Sequence, residues 1–453
     1  MNPLYSGSEY QPTTPIMNFS PAQTQAYVCF QRGQNLFLTG PGGSGKSTLL
    51  KKIYRDCSQR IQVCAMTGCA ALLLGCRART VHSFSGIGLG TGTIEDNVLK
   101  VSRSRYKTQA WRALDILVID EVSMMSKKMF GMLDAIAKRT RNNDRPFGGL
   151  QVIFSGDFYQ LSPIGKHDDP DTMAFCFEHE NWNLTFPPES QIALTKIFRQ
   201  DNDEYVHVLH QVRVGQLDRA SREILMAQVN KPVPAHLVIR PTRLLPTRSK
   251  VDATNRQEMS KLPTKEREMI LQEHLDLPMT TKENNARQRF TKDDLDRELQ
   301  FLRGNLLCES VLRLREGAQV MCVVNKELTD ESRCLCNGSQ GVVVGFEDEY
   351  PRVRFQNGVE TVMYPHVWQS ETIPGIGVSQ VPLILAWAIT IHKSQGASLD
   401  YAEIDVGSSI FECGQTYVAL SRIKSLDGLY LTSFDPDSIL VHPKVHAFYE
   451  TLR

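Results

Sequence analysis

Residues 40–47 read GPGGSGKS and satisfy G-x-x-x-x-G-K-[ST], a spacing whose chemistry is the binding of a nucleoside triphosphate. The glycines let backbone N–H groups approach phosphate closely, and a helix starting there adds its positive end. The expected ATP-binding run is Gly40, Pro41, Gly42, Gly43, Ser44, Gly45, Lys46, Ser47 and Thr48, with Lys46 the cation for the β and γ phosphates and Ser47 a magnesium ligand. A Gly-rich turn of no consequence is the competing reading, and the flanking segments oppose it. Asp120-Glu121 follows the apolar run ILVI, so Asp120 can hold hydrated magnesium while Glu121 orients or deprotonates the attacking water. The pair alone could equally be a strand terminus before a helix cap. Gln160, in GDFYQLSP, can donate to a γ-phosphate and accept from water; without its neighbours it is a polar turn residue. Arg199 in LTKIFRQ and Arg422 in YVALSRIKS can complete the site from across a cleft, because phosphoryl transfer gains most from a guanidinium on the developing charge. Each of these arginines, taken singly, is by default a solvated surface residue.

These groups need elements to hold them. NLFLT before Gly40 is a short apolar run, and STLLKKIYRDC after it has helical spacing, giving strand, loop, helix. IQVCAM, ILVID and LQVIFSGD are three more buried-strand candidates separated by helical stretches, so the first half is α/β with a parallel sheet. HLVIR from His236, LILAWAITI from Leu383, AEIDV from Ala402 and GLYLTSF from Gly428 suggest a second α/β lobe. Between them lies a charged, helix-prone stretch from Asn255 to about Leu306. AQVMCVV, GVVVGF, PRVRF and VETVMY follow as short runs divided by turn pairs, and Asn357-Gly358 reads as a type I′ hairpin turn with positive φ at both central residues. Residues 311–369 are therefore expected to form a small antiparallel barrel inserted in the second lobe.

Composition bounds the remaining possibilities. A chain of 453 residues predicts two to four folded units, with 41% hydrophobic and 22% charged residues as in ordinary globular proteins. The longest apolar stretch, PLILAWAITI, is far short of the roughly 20 residues that cross a bilayer, so no membrane partner is expected. Lys and Arg total 51 against 50 Asp and Glu, so any nucleic acid must be met by local patches. LKVSRSRYKTQAWR is such a patch: Lys100, Arg103, Arg105, Lys107 and Arg112 interleave with Tyr106 and Trp111, which suits phosphate neutralisation with stacking and suits a solvated loop equally. HSF at His82 to Phe84 and HKSQG at His392 to Gly396 are compatible with gripping a single strand, although a lone His or Lys is more often structural. Eleven Cys without a CxxC pair suit a reducing compartment and ordinary buried thiols rather than zinc. The first eighteen residues lack the marks of a leader and read as a loose tail.

Taken in order, these strings resemble the Pif-one (petite integration frequency) family of 5′-to-3′ DNA helicases in superfamily 1B, from FSPAQ at Phe19 to HAFYETLR. MLDAIAKRTRNNDRPFGGLQVIFSGDFYQLSPI, Met132 to Ile164, carries the likeness most specifically. The resemblance implies two RecA-like P-loop lobes of parallel sheet, with the barrel as an SH3-like insertion. It divides the chain into a tail 1–18, a first lobe 19–200 with a wedge insertion about 85–108, a second lobe 201–310 and 370–453, and the barrel 311–369. By the same resemblance Gln23 reads adenine, although Ala22 stands where an acidic residue is commoner. Thr67, His82, Ser83, Phe84, Thr247, Arg248, Asn255, His392, Lys393, Tyr417 and Ser421 contact DNA, and Arg422 reaches the γ-phosphate. The implied activity is ATP- and Mg2+-dependent unwinding of single-strand-tailed and forked DNA in replication, maintenance or repair, extending to RNA–DNA hybrids and G-quadruplexes. Translocation on RNA or nucleoprotein remodelling is the alternative. One copy or two on DNA both fit, as does an intracellular location: nucleus or mitochondrion in a eukaryote, cytoplasm in a bacterium or virus.

Overall fold

Leu36–Thr39 (β1) is buried along its whole length, and its side chains alternate between two apolar layers: Phe37 joins an aromatic cluster on one face, Leu36 and Leu38 an aliphatic one on the other. A strand that is apolar on both faces belongs inside a parallel sheet covered by helices. In the computed structural model, which describes residues 19–452 except 89, 201, 235, 236, 238, 328–333, 371, 372, 408 and 409, it is such a strand. With Ile61–Ala65 (β2), Arg79–Thr80 (β3), Ile116–Asp120 (β4), Gln151–Gly156 (β5) and Gln191–Ala193 (β6) it forms a sheet ordered β3-β2-β4-β5-β1-β6, parallel throughout. The expected tail, 1–18, lies outside the described residues.

The helices of this half are Pro21–Gln31 (α1), Lys46–Asp56 (α2), Gly68–Leu74 (α3), Val81–Ser85 (α4), Ile94–Arg103 (α5), Arg105–Ala113 (α6) and Lys127–Arg141 (α7). Local chemistry starts several of them: Ser20 and Gln23 form a capping box on α1 with Pro21 in its first turn, and Thr93 with Asp96 does the same for α5. The segment read as a basic loop is α5 and α6. Trp111, at 0% exposure, packs on Phe84 with ring centroids 4.9 Å apart, so its indole serves the core instead of stacking on bases. Lys107 donates to the Ser83 and Phe84 carbonyls at 2.7 and 3.2 Å, and Lys100 to Ile87 at 3.0 Å, which commits two of the patch's cations to holding the loop after α4. Arg103, Arg105 and Tyr106 lie on the same two helices, with Tyr106 exposed.

The second parallel sheet orders Ala388–Thr390, Thr242–Leu245, Ala402–Val406 and Leu429–Phe434. HLVIR forms no strand over its described residues; the strand starts after Pro241, which has no N–H to extend the ladder backwards. LILAWAITI is two strands in two sheets. Leu383–Leu385 pairs with Gln319–Cys322, whereas Ala388–Thr390 enters the parallel sheet. The crossing is pinned at Ala386, whose N–H donates to the Gln319 carbonyl and whose carbonyl accepts from Gln319 Nε2 and Thr242 Oγ1.

A five-stranded antiparallel sheet orders Glu360–Val362, Tyr350–Phe355, Gln340–Glu347, Gln319–Cys322 and Leu383–Leu385. Its hairpin at Asn357-Gly358 departs from the expected type I′ turn. Gly358 alone has a positive φ, +81°, and Phe355 bonds both Gly358 and Val359, so three residues span the turn and only the glycine needs the left-handed region. The charged stretch begins inside the helix Arg248–Ser260 and holds helices Thr281–Arg287 and Lys292–Asn305, with Arg267–Ile270 pairing to Val311–Leu314 just beyond it. The last helix, Pro443–Glu450, returns to the first lobe: Phe448 stacks on Phe177 at 4.3 Å and meets Phe158, Phe37 and Trp182. Among the described residues no helix is long and apolar enough to cross a membrane.

Candidate nucleotide site and strand-binding edge

Parallel strands deliver their carboxyl ends to one edge of a sheet, and here β1, β4 and β5 run out beside one another into the glycine loop, Asp120-Glu121 and Asp157. The loop leaves β1 through Gly40 (φ +141°), where a Cβ would stand 2.4 Å from the Leu194 carbonyl; Gly43 is closed in the same way by Arg199 Cβ. Lys46 turns its ammonium back onto the Gly40 and Pro41 carbonyls at 2.7 and 3.0 Å. Burial pushes its pKa down against the pull of Asp157, Glu121 and Asp120. Ser47 Oγ lies 3.5 Å from Asp120 Oδ2, Ser47 and Thr48 are exposed on the first turn of α2, and the Ser44 hydroxyl is buried without a partner. Burial raises Asp120. Burial, with Asp120 beside it, pushes Glu121 up to about 7, on a backbone held in the left-handed region at φ 58°.

Arg199 and Arg422 come from distant parts of the chain to the same spot. A Cβ on Gly42 would meet Arg422 Nη2 at 3.4 Å, Arg199 Nη1 at 3.5 Å and Ser421 Oγ at 3.6 Å. Arg422, 2% exposed, is held by the Val418 carbonyl and by Ser421 Oγ at 3.0 and 2.9 Å, while Arg199 donates to the Ser421 carbonyl at 3.2 Å. Burial and the neighbouring Arg199 push Arg422 down to about 9, and burial lowers Arg199. Among the described residues neither guanidinium is ion-paired to a carboxylate, so two cations are held close together in an arrangement that an anion would relieve.

Tyr417 and Ser421, expected at DNA, belong to this edge as well: Tyr417 is 3% exposed and its hydroxyl accepts from the Gly42 N–H at 2.9 Å. Gln160 is buried, and its side chain points to Asp157 at 3.5 Å. Gln23 closes the capping box of α1 through its carbonyl and reaches the Ser44 carbonyl at 3.5 Å through its amide. Sequence reasoning passed over Asp157 and Arg213. Arg213 grips Asp157 through Nη2 and Nε at 2.8 and 3.1 Å and lies between the Tyr159 and Tyr449 rings, and a single arginine within a helix gives no motif to find it by. Phe198 was also missed: its exposed ring would lie 3.6 Å from a Cβ on Gly45.

The strand candidates divide. Thr67 caps α3 after β2, while His82 and Ser83 lie on α4 after the neighbouring β3. Thr247 and Arg248 follow Thr242–Leu245, and His392 and Lys393 follow the adjacent Ala388–Thr390, so four of the residues share one edge of the second sheet, with Arg248 and Lys393 exposed. Phe84 and Asn255 do not reach a surface. Phe84 is 6% exposed against Trp111, and Asn255 spends its amide on Ala388, donating to the carbonyl and accepting from the N–H at 2.9 Å each. Among the described residues no cluster of His, Cys, Asp and Glu could hold a metal by itself, and none of the ten described cysteines forms a disulfide.

The family model for PIF1-like helicase matches residues 22–233, and that for the 2B domain of DNA helicase Pif1 matches 299–346. The human ATP-dependent DNA helicase PIF1 is 38% identical over 429 residues, covering 93% of this chain, which spans 62% of that relative's length. The crystal structure of Pif1 helicase from Candida albicans is similar over 96% of this chain and 99% of that one, at 32% identity and TM-score 0.70. Pif1 from Bacteroides sp in complex with ADP-AlF4 is 27% identical, with TM-score 0.76 over 95% of this chain and 96% of that one. In complex with ADP-AlF3 and ssDNA the Bacteroides protein scores 0.63 at 28% identity, over the same shares. With these likenesses spanning both sheets and the loop between them, the chain belongs to the PIF1-like helicase family.

Proposed function

We propose that the chain is an ATP-dependent motor that moves 5′-to-3′ along single-stranded DNA and opens the duplex ahead of it. One observation carries the reading: Arg199 and Arg422, with the Arg422-bearing segment packed on the second sheet, meet over Gly42 of the phosphate loop. A triphosphate on that loop lies between the two lobes, and hydrolysis changes what holds them together.

Each residue then has a step. Lys46 exchanges the Gly40 and Pro41 carbonyls for phosphate oxygens. Glu121, raised to about 7 by burial and Asp120, takes a proton from water near neutral pH. Gln160 holds that water, and the two guanidiniums neutralise charge spreading over the transferred phosphoryl oxygens. The Ser47 hydroxyl and Asp120 carboxylate, 3.5 Å apart, are a hard-oxygen pair that would hold Mg2+. Held there, Mg2+ would supply positive charge to offset that of the phosphates. Gln23 reads the adenine edge and Phe198 covers its face.

Thr67, His82 and Ser83 grip the strand on the first lobe, and Thr247, Arg248, His392 and Lys393 on the second. Lobe closure shortens the distance between the grips and release restores it. The loop after Phe84, with α5 and α6, is the wedge, and the five-stranded antiparallel sheet is the SH3-like insertion. DNA is favoured over RNA as the track, because the human relative is a DNA helicase by name and the Bacteroides protein was captured with ssDNA. The test uses two partial duplexes, one with a 5′ and one with a 3′ single-stranded tail, with and without ATP. Only the 5′-tailed substrate opens, and only with ATP; opening of the 3′-tailed one reverses the polarity.

A further inference from the structure

Glu121 and Gln395 are 274 residues apart in the chain, yet Gln395 Nε2 donates to Glu121 Oε2 at 3.3 Å. Among the described residues this amide is the only hydrogen-bond donor to the carboxylate, and the carboxylate is the only partner of the amide. Gln395 stands two residues beyond Lys393 in a stiff turn: Ser394 is fully buried with its hydroxyl on the Ile391 carbonyl at 2.7 Å, the Lys393 N–H donates to Thr390 Oγ1 at 3.0 Å, and the Gln395 N–H to the His392 carbonyl at 3.1 Å. Displacing His392 or Lys393 therefore carries Gln395 with it. On the other side Glu121 has a left-handed backbone between β4 and a short 3-10 turn, so its carboxylate takes its direction from what its tip meets. The turn also adjoins the first lobe at Gly396, where a Cβ would lie 3.2 Å from Leu73.

We propose that Gln395 is a positioning residue that ties the water-activating carboxylate to the strand-binding turn, so that a nucleic-acid strand held by His392 and Lys393 aligns Glu121 for hydrolysis. This rests on the function proposed above and deepens it. An amide-to-carboxylate bond works best near 2.7–2.9 Å, so at 3.3 Å it is slack, and a shift of the turn by a few tenths of an ångström towards β4 tightens it. The strand phosphate thereby gains control of a group that it does not touch.

The test measures ATP turnover of the full chain with and without an oligothymidylate, alongside oligonucleotide affinity by fluorescence anisotropy. In Gln395→Met, which keeps the shape and removes the donor, strand-stimulated kcat falls on the order of ten-fold towards the strand-free rate. KM for ATP and the oligonucleotide Kd stay within about two-fold, the signature of lost transition-state stabilisation with substrate binding intact. Gln395→Glu, which retains polarity and sets a like charge against Glu121, gives the same collapse and serves if the Met variant does not fold. An unchanged stimulation ratio in the folded variant overturns the coupling. Loss of oligonucleotide binding in step with turnover overturns it too, because Gln395 is then a strand contact. A wild-type chain whose turnover ignores the oligonucleotide defeats the motor reading itself, which separates the two failures.

Discussion

Replacing Arg213 by Met tests the buried pair beside the proposed nucleotide site. Arg213 and Asp157 are 8% and 1% exposed, joined through Nη2 and Nε, with the guanidinium 4.5 Å from the Tyr159 ring centroid and 5.0 Å from that of Tyr449. Met fills much of the space between the rings but removes the carboxylate's ion-pair partner, leaving it the Tyr449 hydroxyl at 3.2 Å and the Tyr159 N–H at 3.3 Å, and removing one partner of a buried pair costs about 3–5 kcal/mol. The pair joins Asp157, at the end of β5, to the helix Asp203–Val214, whose Tyr205, Val208, Leu209 and Val212 lie in the core of the second lobe, so the loss falls on the contact between lobes. Urea unfolding followed by tryptophan fluorescence should show it as a lower midpoint. The pH dependence has a definite sign. Burial by itself raises Asp157, but Arg213 overrides it and holds the carboxyl below its ordinary range, so the wild type keeps this stabilisation above about pH 4 and loses it as pH falls through the folded value. Without Arg213 the upward pull of burial is opposed mainly by Lys46 and the Tyr159 N–H, so the folded carboxyl moves up and its protonation costs the variant less than the wild type. The gap between the two proteins is therefore widest at neutral pH and narrows as the solution is acidified. Asp157→Asn combined with Arg213→Met should recover part of the loss. A single-variant loss below about 1 kcal/mol, or a gap that widens in acid, refutes the reasoning.

Four further substitutions separate the roles of the site. Lys46→Ala should abolish strand-dependent ATP turnover while single-strand binding survives. Arg422→Lys keeps the charge but not the paired donors to Val418 and Ser421, so turnover should fall by at least roughly 10²-fold in a steady-state ATPase measurement. Asn255→Ala should cost about 1–3 kcal/mol of stability by freeing the Ala388 N–H and carbonyl, with oligonucleotide affinity unchanged, whereas Lys393→Ala should weaken binding and reduce its salt slope by about 1.

Much of the site is legible before any folding because its parts are local. Gly40 to Ser47 is a contiguous loop, and ILVI before Asp120 is apolar at every position, so strand, loop and carboxylate can be read from neighbours in the chain. The failures share a cause. Phe84, Trp111 and Asn255 are residue types that bind DNA and also build cores, and burial alone decides between the two uses. LILAWAITI has one composition and two destinations, because the hydrogen bonds at Ala386 are made by Gln319 and Thr242, far away in the sequence. The Asn-Gly hairpin stands where the sequence places it but closes with a different turn, since one more residue in the loop relieves Asn357 of a positive φ.

The sequence by itself determined the phosphate loop, the carboxylate pair and the alternation of strands and helices, since hydrophobic period, glycine conformation and side-chain chemistry act over a few residues. The meeting of Arg199 with Arg422, the turn of Tyr417 towards the phosphate loop, the clasp of Arg213 on Asp157 and the contact of Gln395 with Glu121 were decided only in three dimensions. Each joins segments distant in the chain, and what selects the partner is the order of parallel strands and the packing of one lobe on the other, which no spacing along the chain records.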